Sequence, residues 1–287
     1  QDIALNCDSF DEFVKELQPS AVMYDRYMME EQFGWRVAKH CPDAVRILDT
    51  EDLQSLRNAR HQAYKKEGNL NNVDLNTELA VREVAAIFRC DLTIMISPYE
   101  VELLTNHYQV PEYLLSYIPF VYDEELLNRE TRPYQERQHF VSIGNFRHAP
   151  NWDSVLWLKQ QIWPKIRKQL PEAELHIYGA YPPKKATDLH CDKTGFLVKG
   201  WADDALDVVE SAKVLLAPLR FGAGIKGKLA DAMLCGTPSV TTAIGAEGMT
   251  TEGGWPGIVA ESVEDIVEGA VSVYADQNQW QDASDLA

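Results

Sequence analysis

The sequence predicts an α/β protein of two Rossmann-like domains that face a cleft. Short β-rich runs alternate with amphipathic stretches along the chain, a pattern typical of domains built on parallel sheets. A chain of 287 residues has the length of about two domains. A polar stretch separates two such alternating series. We therefore expect a first domain at 1–120, a linker at 121–138 and a second domain at 139–287.

The pattern of apolar residues predicts the elements of each domain. Predicted strands of the first domain are 21–25, 44–49, 91–97 and 114–119, with helices near 9–18 and 73–89. Predicted strands of the second domain are 139–144, 173–179, 196–200, 213–218 and 238–242, with helices near 151–168, 204–211, 226–234 and 262–274. We expect a buried stripe of Trp152, Leu156, Trp163 and Ile166 in the helix near 151–168, and Pro164 to bend that helix or end its regular part.

Composition excludes several classes of protein. The chain has 27 Lys and Arg against 44 Asp and Glu, and a net charge of −17 repels nucleic acid. Its five cysteines include no CxxC pair, so neither a disulfide framework nor a zinc site is indicated. No apolar run approaches the ~20 residues that cross a bilayer, and the first residues lack the features of a signal peptide. We expect a cytoplasmic protein, at most peripheral to the inner face of the membrane.

Open α/β sheets bind ligands beyond the carboxyl ends of their strands. The loops at those positions in the second domain read GNFRHAPN (144–151), GAYPPK (179–184), GWADD (200–204) and PLRFGAGIKGK (218–228). The last loop precedes a helix, and a Gly-rich turn before a helix is a common phosphate site. The other interpretation is a simple turn with solvated lysines.

Individual residues of the last loop suit a diphosphate. Gly222, Ala223 and Gly224 allow a ligand to approach the backbone, and Lys226 and Lys228 can neutralise its charge. Asp231 lies one helical turn beyond Lys228 and can accept hydrogen bonds from a ribose. The alternative is an acid that the helix dipole favours. Gly236 stands where a helix commonly ends in a left-handed residue.

These stretches resemble glycosyltransferase family 4, the group 1 glycosyltransferases of the GT-B fold. The segments that carry the resemblance are VSIGNFRHAPNWDSVLWL, IWPKI with PEAELHIYG, VKGWADD and, most specifically, APLRFGAGIKGKLADAMLCGTPSVTTAIGAEGM. The resemblance implies a retaining, metal-independent enzyme that moves a hexose-type sugar from a nucleotide-diphosphate sugar to a glycan or lipid-linked acceptor, with no cofactor besides this donor substrate. The chain contains no D-x-D triplet of the kind that holds the metal in the other main transferase architecture.

The resemblance also assigns roles to residues of the second domain. The family's Gly-rich turn falls on Gly222 to Gly227, and the carboxylate that holds the donor ribose falls on Asp231, where the family usually has Glu. The family's motif is a Glu, seven residues and a second Glu. The position of the first Glu falls on Ala223 in this sequence. The Arg and Lys that often follow the first strand are replaced, which leaves Arg147 and His148 as the nearest cations. The donor-binding candidates are Asn145, Gly200, Trp201, Gly222, Ala223, Gly224, Lys226, Gly227 and Asp231.

Catalysis in this scheme is electrostatic. Lys226, Lys228, Arg147 and the N–H groups of the turn would stabilise the departing diphosphate, which then takes the proton of the acceptor. The catalytic candidates are Lys228, Arg147 and His148. For Arg147 and His148 the other interpretation is an exposed loop cation, and for Trp201 it is ordinary packing.

The acceptor would bind to the first domain, where two charged segments follow strands. The candidates there are Arg26, Glu31, Asp49, Asp52 and Arg57, and the other interpretation is a solvated charged face.

Three functions fit these observations. The leading hypothesis is a retaining glycosyltransferase of cell-surface polysaccharide or glycoconjugate assembly. Its alternative is a catalytically silent nucleotide-sugar-binding or scaffold protein, because Ala223 replaces a carboxylate. A sugar-nucleotide epimerase would need an acid and a base in the cleft, and none can be assigned. The sequence also lacks the initial strand and Gly-rich loop of the first domain and the final helices that cross back onto that domain, so we expect a family member that is incomplete at both ends, with a truncated first domain.

Overall fold

The computed structural model describes residues 7–127, 130–249 and 253–287. The first six residues of the chain and two residues of the predicted linker lie outside this part. Two compact units are present. The first contains the residues up to Val121 together with Ala223–Ile225, and the second contains Tyr122–Gly222 and Lys226–Ala287. Most of the described residues of the predicted linker therefore pack with the second unit.

The first unit is built on a parallel sheet with the strand order β1-β2-β3-β4. Its strands are β1 (Ala21–Asp25), β2 (Val45–Asp49), β3 (Leu92–Met95) and β4 (Leu115–Tyr117). Its helices are α1 (Ser9–Leu17), α2 (Arg26–His40), α3 (Gln54–Glu67), α4 (Glu78–Arg89) and α5 (Pro98–Asn106).

The two faces of this sheet differ. Tyr24, Leu48 and Met95 are buried on one face, where they join the apolar side chains of the helices in a single core. The register pairs Tyr24 with Leu48, so the alternate residues belong to the opposite face. On that face Met23 is 56% and Val45 46% exposed. The apolar side chains of the described helices therefore form a core with one face of this sheet.

The second unit contains a parallel sheet with the order β10-β9-β8-β5-β6-β7. Its strands are β5 (Gln138–Ile143), β6 (Leu175–Tyr178), β7 (Phe196–Gly200), β8 (Ala212–Ala217), β9 (Ser239–Thr241) and β10 (Gly257–Val259). Its helices are α6 (Glu124–Leu127), α7 (Ala149–Trp157), α8 (Trp163–Gln169), α9 (Lys184–Thr187), α10 (Ala205–Ser211), α11 (Gly227–Leu234), α12 (Ala243–Ala246), α13 (Val263–Ala275) and α14 (Gln277–Asp285). Counted from β5, this is the doubly wound Rossmann order.

Both faces of the second sheet are buried, as a parallel sheet requires. Phe140 and Leu175 belong to a core with α7, α8 and α13. Val141 and Leu215, on the opposite face, belong to a second core with α10 and α11. The predicted α/β class with two parallel-sheet units is confirmed.

The predicted helix near 151–168 contains a local change of pitch. A π-helical turn, Leu158–Ile162, joins α7 to α8, and the Trp163 N–H donates to the Leu158 carbonyl five residues back. This turn precedes Pro164, which has no N–H to donate. The extra residue in the π-helical turn changes which side chains of this helical stretch face the core. Trp163 and Ile166 are buried as expected, but Trp152 and Leu156 are only partly buried, and the fully packed positions include Val155, Leu158 and Ile162.

The end of α11 follows the prediction for Gly236. This glycine has φ = 57°, its N–H donates to the Met233 carbonyl, and the Thr237 N–H donates to the Ala232 carbonyl. These two bonds form a Schellman motif. The motif turns the chain from α11 directly into β9.

Strand β10 and helix α14 are among the elements that were not predicted. Strand β10 has three residues and begins at Gly257, whose φ is 135°. A Cβ at Gly257 would lie 2.0 Å from the Ser239 carbonyl oxygen, so the close pairing with β9 requires glycine. Helix α14 is mostly polar and is anchored by Trp280, which is 1% exposed.

Trp280 connects α14 to the sheet. Its indole N–H donates to the Lys213 carbonyl at 2.7 Å, and its ring meets Tyr134 edge-on with centroids 5.6 Å apart. We predict that Trp280→Ala lowers the free energy of unfolding by about 3–5 kcal/mol, because it empties a buried site and removes this bond. Urea denaturation measures the change. Leu286→Ala, at a side chain that is 50% exposed, is the control and should have little effect; equal effects of the two changes contradict the anchoring role.

Candidate functional site

The strand order of the second unit determines which loops are neighbours. Strand β5 lies between β8 and β6, so the chain departs in opposite directions from the two sides of β5. The loops after β5 and β8 therefore diverge at the switch point of the sheet, where doubly wound proteins bind ligands. The loops after β6 and β7 follow along the same edge, as the Gly144 N–H donates to the Tyr178 carbonyl and the Gly179 N–H to the Gly200 carbonyl.

The loop after β5 packs tightly against the loop after β6. The Phe146 side chain is buried and its N–H donates to the Ala180 carbonyl at 3.1 Å. A Cβ on Gly179 would lie 2.0 Å from the Gly144 carbonyl oxygen, so glycine permits this approach. The Asn145 side chain accepts from the Arg147 N–H at 2.9 Å and closes a turn. The β5 loop is thus held in one conformation.

The cations predicted in this loop have different surroundings. Arg147 is exposed, and its guanidinium carbon lies 3.8 Å from the ring centroid of Tyr181. His148 is partly buried and directly precedes α7. Arg147 is therefore stacked toward the β6 loop. Its catalytic role and that of His148 remain predictions.

Lys228 reaches the carboxyl end of β5 from α11. Its Nζ donates to Asn151 Oδ1 at 2.7 Å, and Asn151 Nδ2 donates to the Asn145 carbonyl at 3.0 Å. A Cβ on Gly144 would lie 2.7 Å from both Lys228 Nζ and Asn151 Nδ2, so these groups lie directly over the end of the strand. Burial lowers the pKa of Lys228 to about 8. The structure therefore places a partly buried, ionisable cation at the switch point.

The Gly-rich turn is divided between the units. Gly222 (φ = 157°), the buried Lys226 and Gly227, the first residue of α11, belong to the second unit. Ala223 and Gly224 belong to the first unit, where the Gly224 N–H donates to Glu100 Oε1 at 2.8 Å. This N–H already has an acceptor, whereas a Cβ on Gly227 would meet no atom within 4 Å.

Asp231 lies on α11 one turn after Lys228. It is partly buried, and burial raises the pKa of its carboxyl group. Burial, and secondarily the charge of Asp231, raises the pKa of Tyr122 in the same unit. The α11 N-terminus thus carries a cation and an acid on successive turns, as the spacing predicts.

The β7 loop presents Gly200 and Trp201. Gly200 has φ = 83°, a conformation that favours glycine. Trp201 is 67% exposed, so ordinary core packing does not explain it. Its role in donor binding remains a prediction.

Most of the predicted acceptor-side residues follow β1 and β2. Arg26 directly follows β1, has φ = 67° and pairs with Asp25 at 2.7 Å. Asp49 ends β2 and accepts from the Glu51 N–H at 3.2 Å. Asp52 pairs with Arg57 and lies against Gly224, whose added Cβ would be 2.7 Å from Asp52 Cβ.

Glu31 has a different location. It lies on α2 and forms a bidentate pair with Arg82 of α4. The Arg82 guanidinium lowers the pKa of this carboxyl. Glu31 therefore joins two helices, and the structure does not bring it to the strand ends with Arg26, Asp49, Asp52 and Arg57.

Two residues near the strand ends, Asn151 and Glu51, were not among the predicted site residues. Asn151 stands in the predicted loop, but its role depends on Lys228, which is 77 residues away. Glu51 has φ = 60°, and burial together with Asp49 and Asp25 raises the pKa of its carboxyl. The sequence signal for Asn151 was a polar amide two residues into a helix that starts at a strand-end loop.

Residues 7–127, 130–249 and 253–287 contain no cluster of three or more His, Cys, Asp or Glu side chains arranged to hold a metal ion. None of the helices in this part has the length and hydropathy needed to cross a lipid bilayer.

The fold and the switch-point loops define the chain as an α/β protein of the GT-B class. Residues 137–276 match the family model described as "Glycosyl transferases group 1". The resemblance predicted from the sequence is therefore confirmed. A Klebsiella pneumoniae relative, "Uncharacterized 44.6 kDa protein in cps region", is 25% identical over 177 residues, which are 59% of this chain and 44% of the relative.

Solved structures of similar fold include proteins in complex with UDP. A variant of S. aureus TarM, in complex with fondaparinux, alpha-GlcNAc-glycerol and UDP, has a TM-score of 0.73 at 14% identity and is matched over 96% of this chain and 53% of its own. The pneumococcal O-GlcNAc transferase GtfA, with UDP and GlcNAc, has a TM-score of 0.69 at 16% identity over 96% and 56%. Anabaena Alr3699/HepE, with UDP and glucose, has a TM-score of 0.67 at 12% identity over 99% and 77%. The chain spans about half the length of TarM and of GtfA, and likenesses at these identities show the fold.

The raised pKa of Asp231 leads to a stability prediction. The unfolded carboxyl ionises near 3.8 and the folded one at higher pH, so ionisation destabilises the folded protein as pH rises between these values. We predict that Asp231→Asn raises the melting temperature at pH 8, with a gain that shrinks as the pH falls toward 4. Differential scanning fluorimetry across this range measures it. Asp282→Asn, at an exposed position, is the control; an Asp231→Asn gain that is absent at pH 8 contradicts the prediction.

Proposed function

We propose that the chain binds a nucleotide-diphosphate sugar at the switch point of the second unit and transfers the sugar to a glycan or lipid-linked acceptor. The observation that carries the proposal is the placement of Lys228 over the carboxyl end of β5, with its Nζ 2.7 Å from Asn151 Oδ1. An ammonium at the switch point of a doubly wound sheet, beside a helix N-terminus, suits a diphosphate. Asp231, one turn further on, suits the ribose.

The reaction that fits these groups is transfer with retention of anomeric configuration, without a metal and without a resident cofactor. Lys228 and the N–H groups at the start of α11 would stabilise negative charge on the leaving diphosphate. Arg147, stacked on Tyr181, and His148 would add charge from the β5 loop. The departing phosphate would accept the proton of the attacking hydroxyl. In this scheme the protein cations take the electrostatic role that a metal has elsewhere.

Several observations support the proposed setting. The named structures of similar fold contain UDP, which makes UDP the first donor nucleotide to test. A relative from a cps region supports a role in polysaccharide assembly. We propose an acceptor site near Arg26, Asp49 and Asp52 at the carboxyl ends of β1 and β2, and a cytoplasmic location that includes peripheral association with the inner face of the membrane.

One observation favours a second candidate function, binding without catalysis. Ala223 stands where the resembled family carries a carboxylate, and its side chain packs against the first unit's apolar core. A chain without that carboxylate can bind the nucleotide through Lys228 and Asp231 and still fail to transfer sugar. Turnover of UDP-glucose and UDP-GlcNAc, measured as released UDP, distinguishes the two functions.

Calorimetric titration of UDP, GDP and ADP tests the proposed site. We predict that one nucleotide binds and that Lys228→Met and Asp231→Asn each weaken its binding at least tenfold, which corresponds to about 1.4 kcal/mol. Lys228 is changed to Met to keep the apolar stem of the side chain. Lys184→Met is the matched control, because this lysine is exposed on α9 and pairs with Asp188.

Loss of binding in the folded Lys184→Met variant, or no loss in the other two, contradicts the proposed site. Retention is tested on any transfer product by the coupling constant of its anomeric proton, and metal independence by activity in EDTA.

Protonation of Lys228 gives a prediction for pH. With a pKa of about 8, about half of the lysine is neutral at pH 8, and a bound diphosphate favours the ammonium. Nucleotide binding at pH 8 should therefore take up a fraction of a proton, and affinity should fall as the pH rises above 8. Titration in two buffers of different ionisation enthalpy measures the uptake. The uptake should disappear in Lys228→Met, and an unchanged uptake there would assign the proton to another group.

A further inference from the structure

The amide of Asn151 is held in one orientation by the two bonds that it makes. Nδ2 donates to the Asn145 carbonyl at 3.0 Å, and this bond leaves Oδ1 to face Lys228 at 2.7 Å. A reversed amide would direct an NH₂ group at the ammonium, donor against donor. The backbone of the β5 loop therefore determines which atom of Asn151 meets the lysine.

The loop that fixes this orientation makes contacts of its own. The Asn145 side chain closes a turn with the Arg147 N–H, and the buried Phe146 hydrogen bonds to Ala180. Asn151 also lies near the start of α7, where the Asn151 N–H donates to the His148 carbonyl at 3.0 Å. The amide is thus attached to both the loop and the helix, and it transmits their position to Lys228.

An amide partner has a different electrostatic consequence from a carboxylate partner. An ammonium carries three N–H donors, of which one goes to Asn151. Because the amide is neutral, it leaves the positive charge of the protonated lysine for an anion, whereas a carboxylate would cancel that charge. Asp231 is the acid nearest in sequence on α11, and burial alone accounts for the shifted pKa of each group, so the lysine is not held by that carboxylate.

We propose that Asn151 is a positioning residue, which holds the Lys228 ammonium over the carboxyl end of β5 so that the diphosphate of a nucleotide meets an already oriented cation. The role toward the diphosphate rests on the function proposed above. The contact between amide and ammonium belongs to the protein without nucleotide. The contact between amide and ammonium and the role toward the diphosphate can therefore be tested separately.

A substitution at Gly144 would disturb the same lysine by a second, independent contact. A Cβ there would lie 2.7 Å from Lys228 Nζ and 2.7 Å from Asn151 Nδ2, and both are ends of side chains that can move. Gly144→Ala should therefore fold while displacing the ammonium, and Asn151→Ala removes its acceptor. Gln160→Ala is the control, because this amide is exposed two turns further along the same helical stretch.

The first experiment measures Lys228 without nucleotide. Competitive labelling with acetic anhydride, read by mass spectrometry, gives the reactivity of each lysine as a function of pH. We expect Asn151→Ala and Gly144→Ala to change the labelling rate of Lys228 at pH 8 at least threefold, with Lys184 unchanged and Gln160→Ala equal to the parent protein. An unchanged Lys228 rate in both variants, each with a cooperative thermal transition, overturns the proposal whatever the nucleotide does.

The second experiment is a double-mutant cycle with UDP, GDP and ADP. We expect Asn151→Ala to weaken binding roughly tenfold in the parent protein and to have almost no further effect in Lys228→Met, because the amide acts through the lysine. Equal losses in both backgrounds overturn the positioning role, since a structural defect would not depend on Lys228. Altered labelling of Lys228 in a protein that binds none of the three nucleotides would overturn the proposed function, and the diphosphate part of this inference with it, while supporting the amide contact.

Discussion

The position of β5 between β8 and β6 is the constraint on which the candidate site depends. Because strand order reverses there, the loops that leave β5 and β8 diverge on the two sides of β5. Lys228 comes from the β8 side and Asn151 from the β5 side, and their hydrogen bond joins the two halves of the doubly wound sheet. The close approach of Gly179 to the Gly144 carbonyl then fixes the β6 loop against the same point.

The positions of the strands along the chain were largely predictable from the sequence. The predicted strands are present with bounds within two residues, because runs such as FLVKG and AVMYD combine β-branched and apolar residues between clear turn signals. Strand β10 was missed because its three residues follow Pro and contain Gly257, which reads as a turn. Helix α14 was missed because Trp280 and Ala283 are the buried residues of an otherwise polar segment, and a periodic pattern needs more apolar positions than these two. The π-helical turn before Pro164 displaced the predicted apolar stripe for a related reason, since the sequence signals a break but not the residue that is inserted.

The site was predictable where it depends on spacing along one element and not where it depends on contacts between distant loops. Lys228 and Asp231 lie on one helix, so their separation followed from the helical repeat. The bond between Lys228 and Asn151 depends on the strand order, which single-sequence reasoning did not assign. The separation of Ala223 and Gly224 from the rest of the turn depends on Glu100, a buried acid whose role has no local signal. Glu31 was placed with the strand-end residues because the charge run is continuous, yet a helix carries its side chain away to Arg82.

Burial works against the charge of both functional groups on α11. It lowers the pKa of Lys228 and raises that of Asp231, so each group is displaced toward its neutral form. Had the two formed a close ion pair, each charge would have stabilised the other, and the shifts would have the opposite sign. A neutral amide holds the lysine instead. The unfavourable free energy of burying two charged groups is therefore not offset in the protein without ligand. A diphosphate beside Lys228 and a ribose hydroxyl beside Asp231 would each favour the charged form, so the free energy spent on burying these groups is recovered in binding. The same arrangement explains why a substitution at Asp231 that stabilises the protein without ligand should weaken the binding of the nucleotide.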